Sequence, residues 1–206
     1  MSVFLQTIGL LGVIAVVFAE SGLLIGFFLP GDSLLFTAGF LASQGVFSIA
    51  WLMIGCVVAA IAGDNVGYAF GKRIGKKIFT REDSFFFHKD HLVRANTFYQ
   101  HYGAKTIVFA RFVPVVRSFA PIMAGIGEMH YKTFLFYNII GGTLWVMGFT
   151  GLGYVLGSII PNADHYLAPI IFLVIILSFL PPVIQVLKNK NDRQAMWRWV
   201  KGLFVQ

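Results

Sequence analysis

At 206 residues the chain is 57% hydrophobic and only 12% charged, with a mean hydropathy of +0.77. A soluble domain carries about 25% charged residues, so this composition excludes a fold coated for water and points to the bilayer as solvent. The net charge of +7 is laid out as membrane topology rather than as a nucleic-acid patch: no Lys or Arg precedes Lys72, and the basic runs Lys72, Arg73, Lys76, Lys77, Arg81 and Lys188, Lys190, Arg193, Arg198, Lys201 each abut an apolar segment.

A spanning helix needs about 20 residues, and the length suits one domain. Residues 1–187 read as a single membrane domain and 188–206 as a basic tail. The first 20 residues lack a basic n-region and a convincing cleavage site, and read as mature membrane protein rather than a signal peptide. Residues 3–19 are apolar until Glu20 interrupts; 22–29 are apolar again until Pro30, Gly31, Asp32 and Ser33; and 34–42 form another short apolar run. Pro-Gly marks a sharp turn, and the limbs beside it are too short to span separately. Residues 1–47 are therefore predicted to form a first re-entrant hairpin region, with residues 1–19 either one limb or a separate span. Such broken backbone persists at membrane depth only inside protein or along a wet cavity.

Residues 49–75 predict a spanning helix that ends in the first basic run. Gly63, Gly67, Gly71 and Gly75 recur at four-residue spacing, which gives one smooth face for close helix packing. Asp64 sits beside it, placed to serve Tyr68 or a nearby backbone group. The single Cys56 forms no intramolecular disulfide or metal cluster and reads as a packing residue.

Residues 76–103 are polar, with the aromatic run Phe85, Phe86, Phe87, and predict a cytoplasmic, partly interfacial segment. His88, His91 and His101 lack the spacing of a metal site, and no metal is expected. Residues 105–130 are apolar but contain Arg111, Pro114, Arg117 and Pro121. A proline inside a helix frees a carbonyl one turn back and kinks the chain, so this stretch is a second re-entrant candidate. Residues 133–157 and 166–187 predict two further spans. Pro161, Asn162 and Asp164 separate them without a basic residue, which places that loop outside and the tail, with Trp197 and Trp199, on the cytoplasmic side.

The predicted fold class is thus an all-α polytopic membrane protein, with two opposed re-entrant helical hairpins and roughly three to four spanning helices. Paired broken segments are a sequence pointer to a transporter's binding site. A charge within a span is expensive and rare unless paired or functional. The first hairpin carries Glu20 and Asp32, the second Arg111 and Arg117, and the four are expected to pair near the midplane. Arginine's rigid fork suits two-point binding of phosphate. The break at Pro114 would let Arg111 and Arg117, six residues apart, converge on one anion. Apolar surroundings disfavour a carboxylate's charged form, which makes Glu20 a candidate proton carrier with Asp32 its partner. Against this stand plainer roles: Asp32 or Ser33 as a helix cap, and Glu20 in a static ion pair that docks the hairpins. Walker loops, Gly-x-Ser-x-Gly elbows and His-Glu-x-x-His pairs are all missing, so neither an enzyme nor a cofactor is expected.

These residues resemble the DedA family, also called the SNARE-associated or VTT-domain family. The resemblance is carried by Phe18, Ala19, Glu20, Ser21, Gly22 and by Phe28, Leu29, Pro30, Gly31, Asp32, Ser33. It continues through Gly63, Asp64, Asn65, Gly67, Tyr68, Gly71, Lys72, Arg73, then Phe109, Ala110, Arg111, Pro114, Arg117, Pro121, and ends on Gly125 and Met129. It covers about residues 10–160. It implies a bacterial inner-membrane carrier of lipid phosphate linked to the proton motive force, with undecaprenyl phosphate the favoured substrate. By motif position Arg111 and Arg117 inherit phosphate binding and Glu20 and Asp32 proton coupling, with Asp64, Pro30, Gly31, Pro114 and Pro121 in support. The expected partners are a lipid phosphate, protons and the surrounding phospholipids, with a homo-oligomer left open and no nucleic acid. A broad-specificity phospholipid scramblase is the alternative, and a non-transporting scaffold or folding factor a further one.

Overall fold

The apolar runs fold as helices wherever the chain is described. The computed structural model describes residues 3–22, 31–78 and 103–159, and no strand occurs among them. The expected span 166–187, the tail 188–206, Pro30 and nearly all of the expected interfacial segment lie outside the described residues. The helices are α1 (Val3–Gly22), α2 (Gly31–Ser43), α3 (Ile49–Ile78), α4 (Thr106–Ala110), α5 (Pro114–Ile126) and α6 (Tyr131–Ile159).

Among the described residues, two helices are long and apolar enough to cross a bilayer: α3 over Ile49–Arg73 and α6 over its whole length. Their outward faces are apolar. Trp51, Ile54, Val58, Val66 and Phe70 are exposed on α3, and Phe136, Leu144, Met147, Leu152 and Val155 on α6. Patches of this size belong against another apolar phase.

The breaks between helices have local causes. Gly45 closes α2 at a φ of 76°, where the amide of Val46 reaches back to the carbonyl of Leu41 at 3.1 Å. A positive φ suits glycine because it has no Cβ to clash. Between α4 and α5, Val113 is extended and Pro114 takes the first helical position. The residue before a proline is driven out of the helical region, while a proline at a helix start forfeits no bond. Pro121, by contrast, lies inside α5 and does not break it.

The shorter helices lie on the two long ones through glycine contacts. α1 runs alongside α3 in the same direction: Gly55 of α3 lies against Ile14, while a methyl at Gly63 would stand 2.7 Å from the carbonyl oxygen of Phe18 and 2.9 Å from the amide of Gly22. α2 packs on α6, where a methyl at Gly39 would strike the Thr150 carbonyl and one at Gly153 the Phe36 carbonyl. α5 packs on α3, with Gly71 against the Ile122 carbonyl and Gly125 against that of Tyr68. α4 meets α6 where a methyl at Gly141 would lie 3.2 Å from the Cα of Val108. The glycine stripe read from the sequence therefore serves two partners, Gly63 facing α1 and Gly67 and Gly71 facing α5. Each long helix carries one limb of each broken pair, and the broken ends meet at the level of Gly63, Asp64 and Trp145.

Candidate functional site

The end of α1, the start of α2, the α4–α5 break and the middles of α3 and α6 converge on one buried cluster of charge. Glu20 is fully buried on the last turn of α1. It accepts the amide of Gly31 at 3.2 Å, and a methyl at Gly31 would collide with its carboxylate. Glycine is thus required there to let the acid approach the backbone of α2.

Arg117 of α5 is held by two acids of the first broken pair. One terminal nitrogen donates to Glu20 and the other to Asp32 at 2.6 Å. The Asp32 side chain is 30% exposed while that of Glu20 is 1% exposed. Asp32 lies in the first turn of α2, but its carboxylate is spent on Arg117 and on the indole Nε1 of Trp145, which donates to it at 2.7 Å.

The expected pairing of the second arginine with Glu20 or Asp32 is not found. Arg111 is bound instead to Asp64 of α3, and it donates to the side-chain oxygen of Asn138 on α6 at 2.6 Å. Asn138 in turn donates to the carbonyl of Ile61 at 3.2 Å. Arg111 closes α4, which packs on α6, and its guanidinium faces α3 and Asn138. Asp64 is correspondingly engaged with Arg111 and not with Tyr68, whose hydroxyl donates to the carbonyl of Met129 at 2.5 Å. Arg111 also packs against Gly142, where a methyl would lie 3.5 Å from its Cζ.

The two guanidiniums do converge. Arg117 lies 5.2 Å and Arg111 5.7 Å from the centre of the Trp145 ring, within range of a cation–π attraction. Both line a small pocket with Ser21, Asp64, Pro121 and Trp145. Its volume is about 10 Å³, the room of one water molecule, so this conformation is closed around its charges. Three carboxylates face two guanidiniums. One proton would bring the five groups to neutrality. Two buried polar atoms of the cluster, Arg117 Nε and Glu20 Oε2, have no hydrogen-bond partner among the described residues.

A family model described as the VTT domain matches residues 29–155, and the chain is 44% identical to Protein DedA of Escherichia coli K12 over 178 residues, 85% of this chain and 81% of that one. The chain belongs to the DedA family of VTT-domain membrane proteins. It is also 40% identical to an uncharacterized membrane protein of Mycobacterium leprae over 83% of this chain and 76% of the relative. To the inner membrane protein YqjA of Escherichia coli K12 it is 33% identical over 69% of this chain and 65% of the relative. No solved structure matches it.

The DedA-type motifs thus bring Glu20, Gly31, Asp32, Asp64, Arg111, Arg117 and Pro121 together. Pro114 sets the break that separates the arginines, and Pro30 falls outside the described residues. Two members were missed from sequence, Asn138 and Trp145. Each carried a signal. Asn138 is an amide in the middle of an apolar span, where polar groups are expensive. Trp145 sits at the centre of a span, whereas tryptophan favours the membrane interface.

Proposed function

We propose that this DedA-family chain is a proton-linked lipid-phosphate carrier of the bacterial inner membrane, returning undecaprenyl phosphate for envelope synthesis. It acts as a transporter and not as an enzyme, and needs no cofactor. The substrate and the inner-membrane location are what the family resemblance implies. The observation that carries the reading is Arg117 shared between Glu20 and Asp32 beside the pocket that Arg111 also lines. An arginine held by two carboxylates, with Nε unpaired among the described residues, is placed to exchange one carboxylate for a phosphate oxygen, which a guanidinium binds in the same forked manner.

Charge balance ties this exchange to protons. With every group ionised the cluster has one negative charge in excess, and a phosphate would add to it. Protonation of Glu20 or Asp32 removes that excess and releases Arg117 to the lipid head group. Loss of the proton restores the ion pair and ejects the phosphate. The polyprenyl tail stays in lipid, so only the head group needs a site.

In this reading α1–α2 and α4–α5 are re-entrant hairpins that enter from opposite faces. Their ends lie beside opposite ends of α3 and α6, and their tips meet at mid-depth. The basic end of α3 and the tail are cytoplasmic.

The test is inward movement of labelled undecaprenyl phosphate in proteoliposomes, with and without an imposed pH gradient. Gradient-sensitive transport that is lost in Arg117→Ala and Glu20→Gln, both folded, is expected. Transport of many phospholipids regardless of gradient would move the assignment to a scramblase, and none by folded wild type would move it to a scaffold.

A further inference from the structure

Asn138 of α6 is fully buried and ties three helices together. Its Oδ1 accepts from Arg111, at the end of α4, at 2.6 Å, and its Nδ2 donates to the Ile61 carbonyl of α3 at 3.2 Å. A guanidinium only donates and a carbonyl only accepts, so the side chain between them must offer one acceptor and one donor. A primary amide offers both. An ionised carboxylate lacks the donor, and an aliphatic side chain lacks both.

Polar side chains join helices in membranes simply as glue, but here the two bonds are unequal. The Ile61 carbonyl already takes the side-chain Nδ2 of Asn65 at 2.8 Å, so it does not depend on Asn138. The shorter bond of Asn138 is the one to Arg111. Asn138 and Asp64 share a single nitrogen of Arg111, Nη2. Two helices thus fix one end of that guanidinium, and Arg111 is held where it lines the small pocket beside Trp145.

The partners of the two arginines differ in charge. Arg117 is held by two carboxylates, Glu20 and Asp32, whereas Arg111 is held by one carboxylate, Asp64, and one amide. Each of the other helices brings a charge to the cluster: Glu20 from α1, Asp32 from α2, Asp64 from α3, Arg111 at the end of α4 and Arg117 from α5. From α6 come only the neutral Asn138 and Trp145, and the one charged residue of that helix, Lys132, stands in its first turn. A carboxylate at position 138 would also pair with Arg111. It would leave the cluster with two excess negative charges in place of one.

We propose that Asn138 is a positioning residue of the phosphate site: it fixes Arg111 for the head group without adding charge, so that one proton, taken up by Glu20 or Asp32, accompanies each phosphate. This deepens the carrier reading and rests on it for the phosphate, but proton uptake on binding is measurable without transport.

The experiment measures equilibrium binding of farnesyl phosphate, a short polyprenyl phosphate, to the full chain in phosphatidylcholine nanodiscs over a series of pH values. Binding is expressed per folded molecule, with the folded fraction taken from gel filtration. The slope of log Kd against pH counts protons taken up with the ligand. Its difference between variants cancels the titration of the phosphate itself. Asn138→Asp should add about one proton to that count, weakening binding at alkaline pH and restoring it on acidification. Asn138→Leu, close in size and uncharged, should keep the wild-type slope and weaken binding by at least about tenfold at every pH, as loss of a hydrogen bond to a charged donor does. A wild-type slope in folded Asn138→Asp would overturn the charge argument. Wild-type affinity in folded Asn138→Leu would overturn the positioning role and leave Asn138 as glue between helices. Absence of saturable binding by folded wild type would overturn the inference as well. Should wild type bind with the expected slopes and yet transport nothing, the carrier reading falls and the role of Asn138 at the phosphate stands.

Discussion

Arg117 sits over the ring of Trp145: its guanidinium carbon is 5.2 Å from the ring centre, while the Nε1 of the same indole donates to Asp32, the carboxylate that Arg117 also holds. The indole thus sets the positions of a cation and its counter-ion together. Trp145→Phe keeps a ring and deletes the donor. It should lower proteoliposome transport by about tenfold or more and cost about 1.5–3 kcal/mol of stability, the worth of a hydrogen bond to a charged group. Trp145→Ala also opens a void and should lose about 3–5 kcal/mol of stability.

Arg117→Gln should be destabilising by about 3–5 kcal/mol, because it strands a buried carboxylate at Glu20. Adding Glu20→Gln should recover much of that stability without recovering transport. The chain supplies its own readout. Cys56 is the only cysteine and is fully buried, so a thiol-reactive dye should label the protein only as it unfolds. Equal destabilisation of the single and double variants would argue against the pairing.

The two surrounding aspartates should separate stability from transport. Asp64 is 7% exposed and bound to Arg111, whereas Asp32 is 30% exposed. Asp64→Asn should shift the dye-labelling midpoint strongly downward. Asp32→Asn should shift it little and yet abolish gradient-sensitive transport. The reverse order would place the working acid on α3.

Glycine substitutions should sort by what a methyl would meet. At Gly39, Gly71 and Gly125 it would run into backbone of the facing helix, which cannot rotate away, whereas at Gly12 nothing lies within 4 Å. Ala at any of the first three should be clearly destabilising and reduce the folded yield in detergent. Gly12→Ala should match wild type in the same labelling assay.

Much of this arrangement was legible from hydropathy. The bounds of α3 and α6 follow from uninterrupted apolar runs, and the break before Pro114 follows from the covalent constraint of the proline ring. Which acid meets which arginine was not legible, because pairing is decided by the helix that each side chain faces. Arg111 and Asp64 are 47 residues apart, and no local pattern links them. Pro121 misled for a related reason: it was read with Pro114 as a breaker, but the helix α5 continues through it, held against α3 at Gly67, Gly71 and Gly125. Asn138 and Trp145 passed as span residues because periodicity reports the face a residue occupies and not the bond it makes there.

The way each long helix holds one limb of each broken pair has a mechanical corollary. α1, α3 and α5 form one block and α2, α4 and α6 the other, with the closest packing inside the blocks. Both broken pairs straddle the seam, so parting the blocks would flex the α4–α5 break at residues 111–113. Of the cluster's three ion pairs, Arg117 with Glu20 lies inside the first block, whereas Arg117 with Asp32 and Arg111 with Asp64 cross between them. Parting the blocks would therefore cut two electrostatic latches and leave Glu20 in the grip of Arg117. The acid that travels with Arg117 and the acid left behind on the opposite wall are then different residues, Glu20 and Asp32.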